Sequence, residues 1–571
     1  MSIQVLTTEV AAKIAAGEVV ERPASVVKEL MENSLDADAT QISVEVRRGG
    51  LELIRVVDNG HGIAAEDVEK AFLRHATSKI ASARDLDRIQ TLGFRGEALP
   101  SIAAVSQVEK VTRVAEEVAG TRVEFRYGSA AGRESTSRPV GTTVSVRHLF
   151  QNVPARLKFV KSPATENGRI SSLVSRFSLA YPSVRFNLII DGRQTFSSPG
   201  TGVPRDTLAR VYGPETAEAM QELESEVEGV GRVSGFVGPP ATSRAQRRYI
   251  TLFVNRRWVQ DRRLSYAVEE AYQGLLMVGR YPIAVLDITL PVEDIDVNVH
   301  PTKSEVRLRR GHDVFSLVQR AVREALVELT PVPAVMPRPV SVQSSLTPRS
   351  QPLGSDLAGW ARGPSQAQAE EKSTPAVTPM KALPILRIVG QVSDTYIVTE
   401  GPDGMYLVDQ HAAHERVLFE RVERERRESR VQVQGMLSPA TIELTPSQEE
   451  ALKPREDLLR EHGFSFEPFG ERSYILRAVP ASLSDRNPDR AFLDILDSLM
   501  EDEKEEDRDT RIATSIACHS AVRAGDTLER EEMEELVRLL EGTGNPHTCP
   551  HGRPTMIHLS STILEKGFGR R

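Results

Sequence analysis

A proline-rich segment divides this chain into two parts that must fold separately. Nine of the 34 prolines in the 571 residues fall between Pro331 and Pro379, among Ser, Gln and Ala residues. Such a composition buries too little apolar surface to offset the entropy lost on ordering, and a loop of this length is uncommon inside a compact domain. We therefore predict a disordered linker over residues 331–383, with folded regions before and after it.

The two folded regions differ in charge. The whole chain carries 72 Lys and Arg against 80 Asp and Glu, a net charge of −8. Residues 384–571 alone carry 24 basic and 36 acidic side chains, a net charge of −12, whereas residues 1–330 carry 43 and 41. The back region therefore repels DNA by itself, and we expect the two regions to have different partners.

The class of protein is limited by three further patterns. No apolar run approaches the ~18 residues that span a membrane, and Glu9, Lys13 and Glu18 interrupt any signal-peptide core. Two cysteines exclude a disulfide scaffold and suit a reducing compartment. We expect a cytoplasmic protein of three or four domains, with no membrane partner.

Helical and strand patterns alternate along the front region, which predicts a mixed α/β fold. Helices are predicted over 23–35 and 314–329. Strands are predicted over 41–46, 51–57, 142–146, 185–190, 249–254 and 283–290.

Several short motifs in the front region supply the groups that a nucleotide site needs. Glu29 and Asn33 lie one turn apart on the predicted helix and project from one face. Asp58 ends a hydrophobic strand before the glycines of DNGHG, where a carboxylate can accept a hydrogen bond from a base amine. The TSK and TLGFRGEA segments offer hydroxyls, a lysine and backbone donors to phosphate. Each motif alone has a structural explanation, such as a surface polar pair or a hairpin turn.

The order ExxxN, DNGHG, TSK, GFRGEA and GTT resembles the GHKL (Bergerat-fold) ATPases, and IAAGEVVERP and DVNVHPTK are similar to their MutL mismatch-repair branch. The resemblance implies ATP and Mg²⁺ as cofactors, with Glu29 as general base, Asn33 as magnesium ligand and Asp58 as adenine reader. Further nucleotide contacts are implied for Gly62, Thr77, Ser78, Lys79, Gly93, Phe94, Arg95, Gly96, Glu97, Thr143 and Lys303.

The resemblance also implies a domain plan. It consists of a Bergerat α/β sandwich with the ATPase over 1–205, a ribosomal-S5-like α/β subdomain over 206–330, and an α+β dimerisation and endonuclease domain over 384–571. Lys303 would reach the γ-phosphate from the second subdomain, so that ATP draws the two subdomains together.

A cluster of arginines marks a candidate DNA contact between residues 244 and 263. One acid, Asp261, lies among them, and Tyr249 and Trp258 are interleaved. Backbone-directed DNA binding needs such a patch, although a solvated strand-and-loop face explains the composition equally well. Similarity to MutL favours DNA, bound without sequence specificity. The arginines are Arg244, Arg247, Arg248, Arg256, Arg257, Arg262 and Arg263.

Metal-ligand residue types are concentrated in the back region. His411 and Glu415 are one helical turn apart, and both cysteines of the chain, Cys518 and Cys549, lie in the same region, with His551 two residues after Cys549. Thiolate, imidazole and carboxylate groups form a plausible zinc ligand set. Two buried structural cysteines are the competing explanation.

The DQHA-x-x-E-x-x-x-x-E pattern over 409–420, the CPHGRP segment and the F-x-R of Phe568 to Arg570 resemble the endonuclease-type MutL branch. The resemblance implies that Asp409 and Glu415 carry the nuclease chemistry. It implies that His411, Cys518, Cys549 and His551 complete a site for Zn²⁺, Mn²⁺ or both. His519 departs from the basic residue that the family usually has after the cysteine.

One more segment resembles the sliding-clamp-binding peptide of this family, with contacts implied for Gln434, Met436, Leu437 and Pro439. The implied partners are MutS, the replication sliding clamp, DNA and a second copy of the chain, with association with the nucleoid during repair. The function implied is ATP-switched nicking of the daughter strand in mismatch repair. The alternative is a non-nucleolytic, ATP-dependent matchmaker with a structural zinc site. A topoisomerase, chaperone or kinase fits poorly, because their further motifs are missing.

Overall fold

The structure is a computed structural model that describes residues 20–79, 91–93, 96–273, 275–276, 279–296, 306–329, 386–483, 487–500, 506–522 and 526–567. The linker predicted over 331–383 lies outside these residues. So do Phe94, Arg95, Lys303 and the segment from Phe568 to Arg570.

The front region begins with a sheet of eight strands, which are β1 Gln41–Arg47, β2 Leu53–Asp58, β3 Gln107–Arg113, β4 Gly120–Arg126, β5 Ser129–Thr136, β6 Gly141–Arg147, β7 Arg185–Ile190 and β8 Arg193–Ser197. Their order in the sheet is β5-β4-β3-β6-β2-β1-β7-β8, and β1 and β7 form a parallel pair in an otherwise antiparallel arrangement. Its helices are α1 Pro23–Asp36, α2 Ala98–Ala104, α3 Pro154–Leu157 and α4 Pro163–Ala180.

The helix α1 places its apolar stripe against this sheet. Pro23 stands in its first turn, where the missing N–H is not needed. Val26, Val27, Leu30 and Met31 are all buried in the core shared with β1, β2 and α4. The polar residues of the same helix, spaced by three and four, are thereby left to face the edge of the sheet at which β2 ends.

A second sheet follows, with strands β9 Gln221–Val227, β10 Gly231–Val237, β11 Ile250–Val254, β12 Arg257–Val259 and β13 Ala284–Thr289 in the order β12-β11-β13-β10-β9. The helices here are α5 Pro204–Tyr212, α6 Pro214–Ala219, α7 Arg262–Ala271 and α8 Gly311–Leu329. A two-stranded ribbon joins β14 Ile295–Asp296 to β15 Arg307–Leu308. The parallel pair of β11 and β13 is joined through α7, as a parallel pair requires a crossover connection.

The back region contains two smaller sheets. One consists of β16 Arg387–Val392, β17 Tyr396–Gly401, β18 Gly404–Asp409 and β22 Met556–Ser560, and the other of β19 Val433–Glu443, β20 Ser465–Gly470 and β21 Ser473–Pro480. The helices are α9 Gln410–Arg427, α10 Pro446–Leu452, α11 Glu456–Glu461, α12 Pro488–Leu499, α13 Glu506–Ser520, α14 Arg530–Glu541 and α15 Ser561–Gly567. Among the described residues, no helix combines the length and apolarity of a membrane span.

The mixed α/β class predicted from the sequence is confirmed, and the patterned elements fall close to their predicted bounds. The helix predicted over 23–35 ends one residue later, at Asp36. The strand predicted over 185–190 has those bounds. The helix predicted over 314–329 begins three residues earlier, at Gly311.

The front and back regions meet at a buried carboxylate. Asp497 of α12 has no exposed surface, and its Oδ1 accepts hydrogen bonds from the Arg248 guanidinium (2.7 Å), the Tyr249 hydroxyl (2.6 Å) and the Gln448 amide (2.8 Å). Arg248 and Tyr249 belong to the front region, Gln448 and Asp497 to the back region. Because a buried charge needs partners, the two front-region donors, Arg248 and Tyr249, hold the regions together at this point, and Gln448 supports the carboxylate from within the back region.

Removing this carboxylate should weaken the contact between the two regions. In Asp497→Ala the Arg248 side chain, which is 25% exposed, loses its anion, and breaking such a buried pair costs ~3–5 kcal/mol. We expect a larger radius of gyration by small-angle X-ray scattering. Asp489→Ala, at an exposed position of the same helix, should scatter like the wild type, and unchanged scattering for Asp497→Ala would contradict the role assigned to this contact.

Candidate functional site

A cavity of about 930 Å³ opens where α1, the end of β2 and the loops before α2 meet. Its walls contain residues of four front-region motifs, which are ExxxN, DNGHG, TSK and GFRGEA. Those of them expected to bind nucleotide are Glu29, Asn33, Asp58, Gly62, Thr77, Ser78, Lys79, Gly93, Gly96 and Glu97. The fold thus brings residues that are far apart in sequence to one concave surface.

Asp58 is fixed at one side of the cavity by donors from three segments. Its Oδ1 accepts hydrogen bonds from the backbone N–H of Gly60 (3.0 Å) and of Thr142 (3.1 Å), and its Oδ2 accepts one from the Ser34 hydroxyl (2.9 Å). The residue is 8% exposed. A carboxylate held in this way remains an acceptor in a fixed orientation, which suits recognition of a base amine.

A lysine ties α1 to the loop before α2. The Lys79 ammonium lies 2.5 Å from Asp36 Oδ2 and 3.0 Å from Asn33 Oδ1. Asp36 also accepts hydrogen bonds from the backbone N–H groups of Leu92 (2.8 Å) and Gly93 (2.9 Å). The arrangement holds a cation and backbone donors beside the amide expected to ligate magnesium. A phosphate would meet favourable groups here.

Two of the glycines that line the cavity stand at positions where no side chain would fit. Gly62 has a φ of +78°, and a Cβ there would lie 2.2 Å from the Arg113 carbonyl oxygen. Gly96 has a φ of +63°, and its Cβ would lie 2.5 Å from the Ala76 carbonyl oxygen. Both positions need the left-handed backbone and close approach that glycine allows.

One expected nucleotide contact requires correction. Thr143 does not line the cavity, whereas its neighbours Thr142 and Val144 do. Successive residues of a strand point to opposite faces, and Thr142 pairs with Asp58 across the sheet, which places Thr143 on the other face. Of the two hydroxyls of the GTT motif, the sequence analysis chose the one that the strand turns away from the cavity, because it did not establish the phase of the strand.

Sequence reasoning also missed Arg257 as a neighbour of this site. Its guanidinium donates to the carbonyl oxygens of Thr91 and Leu92, and the side chain is 8% exposed. The second sheet thereby contacts the loop before α2 directly. Arg257 was predicted only as a DNA contact, and the fold was needed to show that it points inward whereas its neighbour Arg256 is exposed.

In the back region, α9 begins immediately after β18, and Asp409 is its N-cap residue. The Asp409 carboxylate accepts a hydrogen bond from the backbone N–H of Ala412 (2.9 Å). One turn into the helix, Glu415 is fully buried. The helical spacing of His411 and Glu415 assumed from the sequence is present, and the helix directs Glu415 into the protein.

Four side chains converge on the Glu415 carboxylate. His411 Nε2 lies 3.2 Å from Oε1, and the Cys518 thiol donates to the same oxygen at 3.1 Å. His551 Nδ1 and the Arg553 guanidinium lie 3.3 Å and 3.4 Å from Oε2. The helices α9 and α13 and the segment before β22 therefore meet at one buried acid.

Three residues of this region, two of them already named, satisfy the geometry of a cation site. The ligand atoms of Glu415, Cys549 and His551 lie within 4.8 Å of one another. His411 Nδ1 lies 2.8 Å from the Val522 carbonyl oxygen. A hydrogen bond from Nδ1–H to that carbonyl would leave Nε2 free to bind a metal. Sulfur, imidazole nitrogen and carboxylate oxygen are the donors that zinc prefers.

The charges of this cluster are balanced by hydrogen bonds. Burial raises the pKa of Glu415, but its hydrogen bonds with His411, His551 and Cys518 outweigh that effect and hold the pKa well below its usual range. The hydrogen bond with Glu415 raises the pKa of His411, and it outweighs burial of the imidazole, which lowers that pKa. Burial, and then the negative charge of Glu415, raises the pKa of Cys518. A bound cation would reverse that last effect and favour the thiolate.

The structure thus gathers most, but not all, of the expected metal residues. His411, Glu415, Cys518, Cys549 and His551 are together, whereas Asp409 caps the helix and is not part of the cation geometry among the described residues. Arg553, which the sequence analysis did not single out, contacts Glu415. The CPHGRP motif contains this arginine, so the signal was present.

The seven candidate DNA-binding arginines fall into different environments. Arg244 and Arg248 are half-buried, and Arg248 is paired with Asp497. Arg257 is buried against the loop before α2. The exposed members are Arg247, Arg256, Arg262 and Arg263.

The candidate clamp segment lies in β19, an edge strand of its sheet. Its pairing with β21 is interrupted between Gly435 and Ala440. Leu437 is fully exposed there, and Met436 packs against the neighbouring core. An interrupted edge strand with a protruding leucine is accessible to a partner groove.

Comparisons with known proteins agree with this architecture. Residues 21–139 match the family described as histidine kinase-, DNA gyrase B- and HSP90-like ATPase. Residues 208–327 match the DNA mismatch repair protein, C-terminal domain, and residues 389–528 match the MutL C terminal dimerisation domain.

Curated relatives span the whole chain. The DNA mismatch repair protein MutL of Symbiobacterium thermophilum is 41% identical, with all of both chains covered. The MutL proteins of Pelotomaculum thermopropionicum and Desulforudis audaxviator are each 40% identical, with all of this chain and at least 99% of theirs covered. The chain belongs to the MutL family. It is a mismatch-repair protein with a GHKL-type ATPase domain, and that domain implies ATP binding.

A side chain at Gly62 should damage the ATPase cavity of this MutL protein. Gly62→Ala would add a Cβ where the Arg113 carbonyl lies and would strain the backbone, at ~1–3 kcal/mol. We expect a lower midpoint of thermal unfolding and a smaller stabilisation by ADP in differential scanning fluorimetry. Gly132→Ala is the control, because no atom lies within 4 Å of its Cβ position. Equal melting of the two variants would contradict the steric argument.

Proposed function

We propose that this MutL protein is an ATP-switched, metal-dependent endonuclease that nicks the daughter strand in mismatch repair. The observation that carries the nuclease part is the convergence of His411, Cys518 and His551 on the buried Glu415. This set of nitrogen, sulfur and oxygen donors is a candidate metal site in the back region, and the GHKL cavity is a candidate nucleotide site in the front region. The protein is therefore proposed to have two sites with different chemistry.

The proposed ATPase chemistry follows from the cavity. Glu29, on the face of α1 that lines the cavity, acts as general base for the attacking water, and Asn33 ligates magnesium. Asp58 accepts a hydrogen bond from the exocyclic amine of adenine. Lys79 and the N–H-rich loop at Gly93 and Gly96 neutralise phosphate charge. Lys303, Phe94 and Arg95 are proposed to complete the phosphate contacts.

In the proposed nuclease site, Glu415, Cys518, Cys549, His411 and His551 hold Zn²⁺ or Mn²⁺. A metal bound there would polarise a phosphodiester and stabilise the leaving oxygen. The protein's own contribution is to keep Glu415 ionised through its hydrogen bonds and to orient His411 through the Val522 carbonyl. Arg553, beside Glu415 and largely exposed, is placed to contact a DNA phosphate. Asp409 remains a candidate catalytic residue near the start of α9.

The proposed homodimer uses the outer face of the β16-β17-β18-β22 sheet. Val398 pairs with Leu407, and Leu407 pairs with Ile557, so the three form an apolar row. Ile557 is 57% exposed. Since monomeric proteins rarely expose contiguous apolar patches, and residues 389–528 match a dimerisation family, a second copy is the proposed occupant.

The proposed macromolecular partners are DNA, MutS and the sliding clamp. Arg247, Arg256, Arg262 and Arg263 provide an exposed basic surface for the DNA backbone. The segment containing Gln434, Met436, Leu437 and Pro439 docks in an apolar groove of the clamp. Because the back region has a net charge of −12, the front region or the clamp must present DNA to the nuclease site.

A second candidate function is a non-nucleolytic matchmaker with a structural zinc site. The observation that favours it is the use of the Asp409 carboxylate as a helix cap. A carboxylate used in this way is not a metal ligand, so the remaining side chains would form the whole ligand set. A closed ligand set without an open position is typical of structural zinc.

Nicking of supercoiled plasmid in the presence of Mn²⁺ distinguishes the two functions. The wild type should convert the plasmid to open circles, and Glu415→Gln should lose the activity. Glu423→Gln, at a half-buried position of the same helix whose carboxylate pairs with Arg427, should retain it. Equal nicking by wild type and Glu415→Gln would indicate a contaminant. No nicking by any of them, with the clamp present, would favour the matchmaker.

Replacing the proposed base should separate ATP binding from hydrolysis. Glu29→Gln removes the carboxylate that activates water, and general-base catalysis typically contributes ~10²–10⁴-fold. We expect phosphate release to fall by that order while ATP binding, measured by calorimetry, changes little. Glu32→Gln on the same helix, at a residue paired with Lys28 and outside the cavity, should hydrolyse ATP normally. Wild-type hydrolysis by Glu29→Gln would refute the assignment.

Protons should compete with metal at His411. Its hydrogen bond with Glu415 raises the pKa of His411, and the imidazole must lose its proton to bind a metal. Zinc affinity should therefore fall as the pH decreases through that raised pKa, by roughly tenfold per pH unit. Titration against a chromogenic chelator measures the effect. His411→Asn should reduce the pH dependence, and His312→Asn, an exposed histidine of the front region, should not. A pH-independent affinity would exclude His411 as a ligand.

A further inference from the structure

A lysine lies in the wall of the ATPase cavity at a position whose cross-strand neighbours are valines. Lys110 is in the middle of β3, and the sheet register pairs it with Val123 of β4 and Val144 of β6. It is 2% exposed, yet it lines the cavity together with Asp58. Burial of an unpaired ammonium is unfavourable, so packing alone does not account for a lysine at this position.

The Lys110 amine lies among aromatic and charged groups. Nζ lies over the Phe72 ring, 5.6 Å from its centroid, and Phe72 itself stacks on Phe125. Within the part of the chain that the structure describes, no carboxylate oxygen forms an ion pair with Nζ. Burial lowers the pKa of Lys110 to about 8, against the opposing charge of Asp58. The amine can therefore be protonated at neutral pH and still has donors to offer a ligand.

Asp58 supplies the acceptor that complements this donor. Its two oxygens are held by Gly60, Thr142 and Ser34, so the carboxylate keeps its orientation and cannot turn to pair with Lys110. The strand register places both side chains on the cavity face: Asp58 pairs with Thr142, and Lys110 pairs with Val144, two residues further along β6. The cavity wall thus presents a fixed acceptor and a flexible donor.

We propose that Lys110 reads the base of the nucleotide, donating a hydrogen bond to N1 of adenine while Asp58 accepts one from the 6-amino group. The proposal rests on the proposed binding of ATP in this cavity. Adenine has a donor at position 6 and an acceptor at N1. Guanine has the opposite pattern, with O6 as an acceptor and N1–H as a donor. Its O6 would face the Asp58 carboxylate and its N1–H would face the Lys110 ammonium, and both contacts are unfavourable.

A cycle of protein and ligand changes tests the proposed contact. The Lys110→Met variant keeps an unbranched side chain of nearly the same length and removes the amine, and 1-deaza-ADP replaces N1 by a C–H group. Calorimetry should show ADP binding to the variant roughly tenfold more weakly than to the wild type, as expected for a hydrogen bond to a charged group. The wild type and the variant should bind 1-deaza-ADP equally weakly. The affinity for GDP relative to ADP should be higher in the variant than in the wild type.

The outcomes separate this inference from the function on which it rests. Equal affinity of the wild type for ADP and 1-deaza-ADP would overturn the contact without any variant, so the test survives a variant that fails to fold. If Lys110→Met bound both ADP and 1-deaza-ADP more weakly than the wild type does, the contact would also be overturned, because the lysine would then act on the cavity as a whole and not on N1. Failure of the wild type to bind any of the nucleotides would refute the proposed ATP site itself.

Discussion

The carboxylate of Asp58 is the point on which the front region depends. It lies at the end of β2, where the buried sheet meets an open cavity, and it joins α1 through Ser34, the following turn through Gly60 and β6 through Thr142. A buried carboxylate without donors would be strongly unfavourable. Satisfying it fixes the spacing of three segments, and that spacing creates the cavity. The groups that stabilise the fold here are the groups that shape the proposed adenine site.

Glu415 has the same relation to the back region. It is fully buried, and its partners come from its own helix, from α13 and from the CPHGRP segment. In both regions an acid that is unfavourable to bury is retained where ligands would bind. The two sites are linked through the chain's own contacts, because Asp497 connects the arginine-rich stretch of the front region with α12. Asp494, on that same helix, pairs with both Arg280 of the front region and His519, the residue after Cys518.

The sequence predicted elements and motifs better than it predicted which side chain of a motif faces inward. The periodicity of residues 23–35 and the glycines of DNGHG were sufficient to predict α1 and the turn after β2. Thr143 was chosen over Thr142 because a one-residue change of strand phase reverses the face. Lys110 gave no signal at all, since a lysine in an alternating strand normally faces solvent. Arg553 lay within the CPHGRP motif and Asp36 lay three residues after ExxxN, but their partners come from distant segments, which only the tertiary fold brings together.

Native mass spectrometry of the intact protein tests the central claim most directly, because it counts bound nucleotide and bound metal on the same molecule. The wild type should carry ADP and zinc together. Asp58→Asn should lose ADP and keep zinc, and Glu415→Gln should lose zinc and keep ADP. Zinc retained by Glu415→Gln, or ADP retained by Asp58→Asn, would contradict the account of two separate sites, each organised by one buried carboxylate.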